Sequence, residues 1–368
     1  MINIIAQGHV YQNPKPYLRS IHAWHPSIVR LDDGELLVAF DLGEAVEALN
    51  YRTWLSRSTD DGATWSSPTR LLEDDPAATR NATHSIRLSR MSDGEIVGFG
   101  ARHFRDRADE GLVNRANLGY TEMELFLLRS TDGGRTFGTP ERIEPPLVGP
   151  GFELCHSIVE TTDGRWLAPT STWRGWNGDE PNGMQCVALV SHDRGRTWPE
   201  YLTLANRSDE QVICWEVSLV ELKQGGLVSV VWCFDEKSER SLPNVYSYAA
   251  DGKSFSAPAE CGLLGETAKL ITLADGRILC LYRRISPPGL WAQIATIDEG
   301  RWTNHEETLV WQGAAAGMQG KGTSSDELSG LKFGYPQMVQ LPGGDVMAVF
   351  WCVEDCQHVI RWVRLNVT

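Results

Sequence analysis

The sequence predicts an all-β fold, a closed ring of six four-stranded antiparallel sheets, and three observations carry that prediction. A hairpin of apolar strand, tight Asp-Gly or Gly-Gly turn and apolar strand returns six times, a second polar turn motif falls between the hairpins, and helical periodicity is scarce. The hairpins read PSIVRL-DDG-ELLVAF (26–40), HSIRLSRM-SDG-EIVGFG (84–100), HSIVETT-DG-RWLAPT (156–170), VSLVELK-QGG-LVSVVW (217–232), KLITLA-DG-RILCLY (269–282) and PQMVQL-PGG-DVMAVFW (336–351). Glycine-bearing pairs accept the positive φ of a tight turn, so such a pair between apolar runs marks a hairpin. The turn glycines Gly34, Gly94, Gly164, Gly226, Gly276 and Gly344 are spaced by 60, 70, 62, 50 and 68 residues. That period fits sheets repeated around an axis, a six-bladed β-propeller forming one domain over residues 1–368.

Each blade then follows from local sequence. The hairpin supplies the two inner strands, a longer loop leads to the third, and the polar motif turns the chain into the fourth. Its intact copies are Ser58-Thr-Asp60-Asp-Gly62-Ala-Thr64-Trp65, Ser130-Thr-Asp132-Gly-Gly134-Arg-Thr136-Phe137 and Ser191-His-Asp193-Arg-Gly195-Arg-Thr197-Trp198. Degenerate copies stand at Ala250-Asp-Gly252-Lys-Ser254-Phe255 and Asp298-Glu-Gly300-Arg-Trp302. The Asp and Thr side chains suit hydrogen bonds to the turn backbone, Gly supplies a left-handed residue, and the aromatic plugs between strands. The alternating segment HVIRWVRLNV (358–367) suits the third strand of blade six, and INIIAQGHVY (2–11) its outer strand, closing the ring and removing sheet edges.

Composition narrows the function. Lys and Arg number 34 against 48 Asp and Glu, a net charge of -14, which repels phosphate backbones and argues against nucleic acid as a partner. No apolar run approaches the roughly 20 residues of a membrane-spanning helix, so no membrane role is expected. MINIIAQGHVYQNP has neither the basic nor the apolar region of a secretory signal, and the expectation is a cytoplasmic protein. The eight cysteines (155, 186, 214, 233, 261, 280, 352 and 356) include no CxxC pair and sit mostly in apolar strand-like runs, which suits buried reduced thiols.

The S-x-D-x-G-x-T-(W/F) motif is the Asp-box, or BNR repeat, and the chain resembles the sialidase superfamily of six-bladed propellers through nearly its whole length. The resemblance implies a carbohydrate site at the end of the ring opposite the Asp-Gly turns and Asp-boxes, where innermost strands begin and the loops after the second strands gather. Strand entrances there offer Trp24, His25, His84, Glu153, His156, Trp215, Glu216 and Tyr335, and the loops offer Asp41, Glu44, Glu47, Arg102, His103, Arg105, Trp173, Arg174, Trp176, Asp235, Glu236, Arg283 and Arg284. Glu216-Val-Ser-Leu-Val-Glu-Leu resembles the sialidase strand whose first Glu activates a catalytic tyrosine, and Gly334-Tyr335-Pro-Gln-Met resembles the strand carrying that tyrosine. Glu47, with Glu44 or Asp41 as alternatives, falls near the acid/base aspartate of the first blade.

Departures from the pattern redirect the substrate. The Arg-Ile-Pro that begins a sialidase arginine triad is Trp24-His25-Pro26 here, and the arginine expected after the blade-four hairpin is replaced near Cys233. The missing triad argues against sialic acid, with Arg102, Arg174 and Arg284 available to rebuild an anion site. Exo-acting arabinan hydrolases of the same superfamily use two glutamates of neighbouring blades, here Glu153 and Glu216. Both precede their strand serines by even spacings, so their side chains share a face at different depths.

His25, His84 and His156 begin inner strands as acid/base or substrate-binding groups, and without a local ligand motif neither a metal nor any cofactor is expected. Trp24, Trp173, Trp176 and Trp215 suit stacking on sugar faces. The leading function is an exo-acting glycoside hydrolase on a small carbohydrate substrate. In it Glu216, alone or through Tyr335, is the nucleophilic side, and Glu153 or a blade-one carboxylate is the acid. The alternatives are a uronate lyase using His or Tyr335 with Arg102, and a non-catalytic sugar-binding propeller.

Overall fold

In the computed structural model, which describes residues 1–107, 109–284, 286–312 and 332–368, six antiparallel sheets follow one another around a ring. Blade one comprises His22–Arg30, Leu36–Gly43, Arg52–Ser58 and Thr69–Arg70, and blade two Ala82–Arg90, Ile96–Phe104, Met123–Ser130 and Glu141–Ile143. Blade three departs from the plan: its innermost strand is broken into Gly151–Glu153 and Val159–Glu160, both paired with Trp166–Trp173, before Cys186–Ser191 and Glu200–Ala205 complete the sheet. Val212–Glu221, Leu227–Asp235, Arg240–Ala249 and Ala259–Glu260 form blade four. Blade five is Gly265–Thr272, Ile278–Arg284, Gly289–Asp298 and Arg301–Trp311. Blade six is Phe333–Gln340, Val346–Glu354 and Gln357–Val367, with the N-terminal strand Ile2–Tyr11 paired to Gln357–Val367 as its outer edge. The only helical turn among the described residues is the 3-10 segment Ser208–Glu210.

The apolar core lies between blades, not within them. Phe40, Val38 and Leu42 of blade one pack on Val349, Met347 and Trp362 of blade six, and Phe99 and Leu127 of blade two pack on Trp166 and Leu189 of blade three. Comparable clusters fill the other junctions. A second strand is covered on both faces by neighbouring blades, which is why Leu36–Gly43 is buried at every position and begins with five consecutive apolar residues before Asp41.

The turns match their chemistry. Gly34, Gly94, Gly164, Gly276 and Gly344 each bond back to the carbonyl three residues earlier, and in blade four it is Gly225, not Gly226, that makes this bond, to Leu222. In the three S-x-D-x-G-x-T segments one serine hydroxyl receives the glycine amide, at 2.8 Å for Gly62, 2.9 Å for Gly134 and 2.7 Å for Gly195. The aspartate receives the threonine amide at 2.9 Å in all three. The threonine hydroxyl, which also donates to each aspartate, and these amide bonds favour the charged form and hold Asp60, Asp132 and Asp193 below the usual carboxylate range. Trp65, Phe137 and Trp198 then pack into successive inter-blade clusters. All eight cysteines are free; seven are buried and Cys356 is exposed.

Candidate active site

Counting back nine residues from each turn glycine gives His25, Ser85, Cys155, Glu216, Thr267 and Tyr335, one residue per blade. Four of these are left-handed: His25 at φ 47°, Glu216 at 51°, Thr267 at 52° and Tyr335 at 52°. Each lies in the same β-bulge, where two residues of the innermost strand oppose one of the second: the register runs Trp24↔Asp41 to Ser27↔Ala39, Trp215↔Trp232 to Ser218↔Val230, Glu266↔Arg283 to Lys269↔Leu281, and Gly334↔Trp351 to Gln337↔Val349. A bulge re-aims side chains, and a non-glycine residue held left-handed costs about 1–3 kcal/mol that the surrounding packing must supply. Four copies around one axis turn their side chains toward a common centre.

Two cavities meet at that centre. The larger, about 580 Å³, is walled by Trp24, Glu44, Glu47, His84, His103 and Arg87 among others. The smaller, about 170 Å³, is walled by Trp173, Trp215, Trp232, Thr267 and Arg283. His25, Tyr120, Glu153, Glu216, Tyr335 and Trp351 line both. A further cavity of about 690 Å³ opens on the turn face, but its charges pair with one another, Arg129 with Glu95 at 3.4 Å and Arg194 with Glu95 at 3.1 Å. It has no aromatic wall.

Seven residues before the turn glycines a second ring carries Ser27, Arg87, Ser157, Ser218, Lys269 and Gln337. Its two cations organise the floor. Arg87 is 2% exposed; its Nη1 reaches Asp41 at 3.3 Å and its Nε donates to the Tyr335 hydroxyl at 3.2 Å. Lys269 Nζ donates to a Glu216 carboxylate oxygen at 3.1 Å, and both cations lie 4.9 Å from the Tyr335 ring centre.

Asp41, fully buried, accepts from Tyr51 at 3.0 Å and Thr53 at 2.6 Å and from Ser85 and Arg87. Burial alone would lift its pKa, but Arg87, His25 and Ser85 outweigh that and leave it below the usual carboxylate range. His25 Nδ1 shares a hydrogen bond of 2.7 Å with the Tyr51 hydroxyl and stands 3.7 Å from Asp41.

The glutamates differ in their surroundings. Glu153 Oε2 accepts the Glu216 backbone amide at 2.9 Å, while the Glu216 carboxylate faces Lys269. Burial, then the neighbouring Glu216 charge, push the Glu153 carboxyl up to about 8. It is therefore protonated at neutral pH. Tyr335 donates its hydroxyl proton to the Leu154 carbonyl at 2.9 Å, and burial raises its pKa well above the ordinary phenol value although Arg87 opposes the shift. The phenol proton is thus engaged by the Leu154 carbonyl.

Trp24, His25, Glu47, His84, Glu153, Glu216 and Tyr335 line the larger cavity, and Trp173 and Trp215 the smaller. The Glu47 carboxylate takes the Leu112 amide at 2.6 Å, tying together the loops of blades one and two. His84 is buried with neither ring nitrogen partnered, and burial lowers its pKa to about 3. Glu44 and His103 also line the larger cavity and Arg283 the smaller, whereas others of the expected residues are placed elsewhere. His156 is buried outside both cavities with Nδ1 against the Ser157 carbonyl at 2.7 Å. Arg102 pairs with its cross-strand neighbour Glu124 at 2.7 Å, Arg174 forks onto Glu236 at 2.7 and 2.6 Å, and Arg284 pairs with Glu307. Each arginine is captured by a nearby carboxylate before it reaches the axis, so these three build no axial anion site. Trp176 lies outside both cavities.

Sequence reading missed Arg87, Lys269, Tyr51 and Tyr120. The first two had a signal: a cation interrupting an apolar innermost strand where other blades carry serine or glutamine. Tyr120 had none. It reaches the axis on the long loop after Phe104, where its amide bonds the Arg174 carbonyl at 2.9 Å and its ring stacks 5.3 Å from Trp173, itself 5.4 Å from Trp215.

The sequence matches no protein-family profile and no curated protein. Among solved structures it is similar to a protein of unknown function from Dyadobacter fermentans DSM 18053, with 22% identity and a TM-score of 0.75 over 100% of this chain and 99% of that one. It is similar to the NanB sialidase of Streptococcus pneumoniae at 11% identity and a TM-score of 0.68, covering 98% of this chain and 70% of that one. An α-L-arabinanase of Penicillium chrysogenum, solved with arabinobiose, matches at 14% identity and a TM-score of 0.66 over 98% of each chain. With blade order, register and these superpositions in agreement, the chain has the six-bladed β-propeller fold found in sialidases and arabinan-cleaving hydrolases.

Proposed function

We propose that this propeller is an exo-acting glycoside hydrolase with Glu153 as the proton donor and Glu216 as the carboxylate that meets the positive charge developing on the sugar. The observation that carries the reading is the unequal pair at the junction of the two cavities: Glu153 held neutral by burial and by its neighbour, Glu216 facing Lys269. A protonated and an ionised carboxyl on either side of one bond are what acid-assisted glycoside cleavage requires. Glu153 gives its proton to the leaving oxygen, and Glu216 attacks the anomeric carbon or stabilises its charge. Tyr335, hydrogen-bonded to Leu154 and Arg87, then acts as a fixed wall and hydrogen-bonding group, and the nucleophilic side falls to Glu216 itself. A uronate lyase would need a cation free for the substrate carboxylate; Arg102, named for that task, is bound to Glu124, and the axial cations Arg87 and Lys269 already face Asp41 and Glu216.

The test is turnover of a panel of aryl and alkyl glycosides by the parent chain and by Glu153→Gln and Glu216→Gln. Loss of about 10²–10⁴ in rate for Glu153→Gln is expected on alkyl glycosides, whose leaving groups need the proton, with a smaller loss on activated aryl glycosides. Undiminished turnover by Glu216→Gln removes it from the mechanism, and sugar binding without turnover on any glycoside points to a non-catalytic binding propeller.

A further inference from the structure

The two cavities flank the glutamate pair, and they differ in size and in lining. The smaller, about 170 Å³, has the volume of on the order of six liquid water molecules, room for one sugar ring. The larger, about 580 Å³, is an ordinary ligand-pocket size. Trp173 and Trp215 stack 5.4 Å apart at 14° in the small chamber, presenting a flat apolar wall of the kind that C–H faces of a sugar cover.

Two buried donors of the small chamber have no partner. Arg283 is 1% exposed; its Nε binds Glu266 at 2.7 Å and its Nη1 the Phe333 carbonyl at 2.7 Å, but Nη2 is unpaired. The Trp215 indole Nε1 is likewise buried and unpaired. Orphaned buried donors are rare, because each forfeits its water without compensation, and two of them in one cavity point to a ligand that offers acceptor oxygens. Gly334 keeps Arg283 in place: a Cβ there would stand 2.3 Å from Nη1.

The charges of this chamber cancel in pairs. Arg283 faces Glu266, both essentially buried, and Glu216 faces Lys269. An anionic sugar would bring an unmatched charge into a site already neutral, and burying an unpaired charge is costly. A hydroxyl or carbonyl oxygen satisfies Arg283 Nη2 and Trp215 Nε1 without that penalty.

We propose that the small aromatic chamber is the subsite for the terminal sugar, that it takes an uncharged sugar, and that the large cavity receives the leaving-group side of the substrate. This assignment rests on the hydrolase reading above, and binding is measured apart from turnover so that the two can fail separately. The probes are methyl α-L-arabinofuranoside and methyl β-D-galactopyranoside as neutral sugars, and methyl β-D-glucuronide and N-acetylneuraminic acid as acidic ones. Each is titrated into Glu153→Gln protein by calorimetry.

At least one neutral glycoside is expected to bind at least tenfold more tightly than either acid. Adding Trp215→Phe, which removes the N–H and keeps a ring, weakens that binding roughly three- to tenfold, and adding Arg283→Met weakens it tenfold or more. Circular dichroism checks the fold of each variant, and Trp215→Phe stands as the test if Arg283→Met fails to fold. The assignment is overturned if an acidic sugar binds as tightly as the neutral ones, if no neutral sugar binds, or if the folded variants bind like the parent. Hydrolysis of neutral glycosides with unchanged KM in Trp215→Phe and Arg283→Met would sink the chamber and spare the hydrolase; tight neutral binding with no hydrolysis by the parent chain would do the reverse.

Discussion

Glu153 and Glu216 sit close enough for one to accept the other's amide, yet it is Glu216 whose carboxylate forms the ion pair with Lys269. Burial first and the Glu216 charge second keep Glu153 protonated to about pH 8, and the direction of the pH effects follows. An acid catalyst works only while it holds its proton, so kcat/KM on an alkyl glycoside falls as pH rises through about 8, and the limb disappears in Glu153→Gln. The same shift acts on stability. A carboxyl whose pKa rises on folding stabilises the fold while both states are protonated and loses that contribution as pH climbs from the ordinary 4.5 toward about 8. Glu153→Gln is therefore expected to melt higher than the parent at pH 8 and alike at pH 4, and an equal difference at both pH values, measured by thermal unfolding, would assign the shift to another group. Sequence spacing placed both glutamates on one face at different depths, and the backbone contact between them follows from a feature spacing does not encode, the break in the innermost strand after Glu153.

The bulges make the same point for elements. Alternation in the hairpins located the strands, but a plain alternating strand would not explain His25, Glu216, Thr267 and Tyr335 all being left-handed. Two bulges did leave a trace: Pro26 and Pro336 occupy the unpaired position, where a residue without an amide proton is tolerated. Blades four and five carry Val217 and Ala268 there and gave no warning. The loop after Phe104 was also opaque, because its position depends on contacts with another blade. Gly119 shows how close that contact is: a Cβ would lie 1.9 Å from the Gly175 carbonyl oxygen. Gly119→Ala must therefore lift the loop from blade three and carry Tyr120 away from the Glu153–Glu216 junction. Since few inter-blade core residues are involved, the expected outcome is a loss of tenfold or more in kcat/KM with a melting temperature lowered by about 2–4 °C. Unchanged kinetics would mean that Tyr120 does not contribute to the site.

At the scale of the whole ring, periodicity was the most legible property, because each blade needs a neighbour on both faces and the chain must repeat the same apolar run to supply one. Local sequence could not show where the ring is strongest, since that depends on which strands meet. The N-terminal strand Ile2–Tyr11 lies along Gln357–Val367 and buries Ile2, Val10 and Tyr11 to 4%, 6% and 8% exposure. At about 1.5–3 kcal/mol for each buried side chain, those three account for roughly 5–9 kcal/mol, the scale of a whole domain's stability of about 5–15 kcal/mol. Removing residues 1–11 also uncovers a long edge, Gln357–Val367, whose unpaired amides and carbonyls invite another chain. The truncated chain is expected to elute as oligomer or aggregate in size-exclusion chromatography and to lose the parent's cooperative melting transition. Tyr11→Ala, which keeps the strand and removes one buried ring, should stay monodisperse with a stability loss of about 3–5 kcal/mol at most. A truncated chain of parental size and melting temperature would mean that blades one to six hold together through their inter-blade cores alone, and that the N-terminal strand serves only to cover an edge.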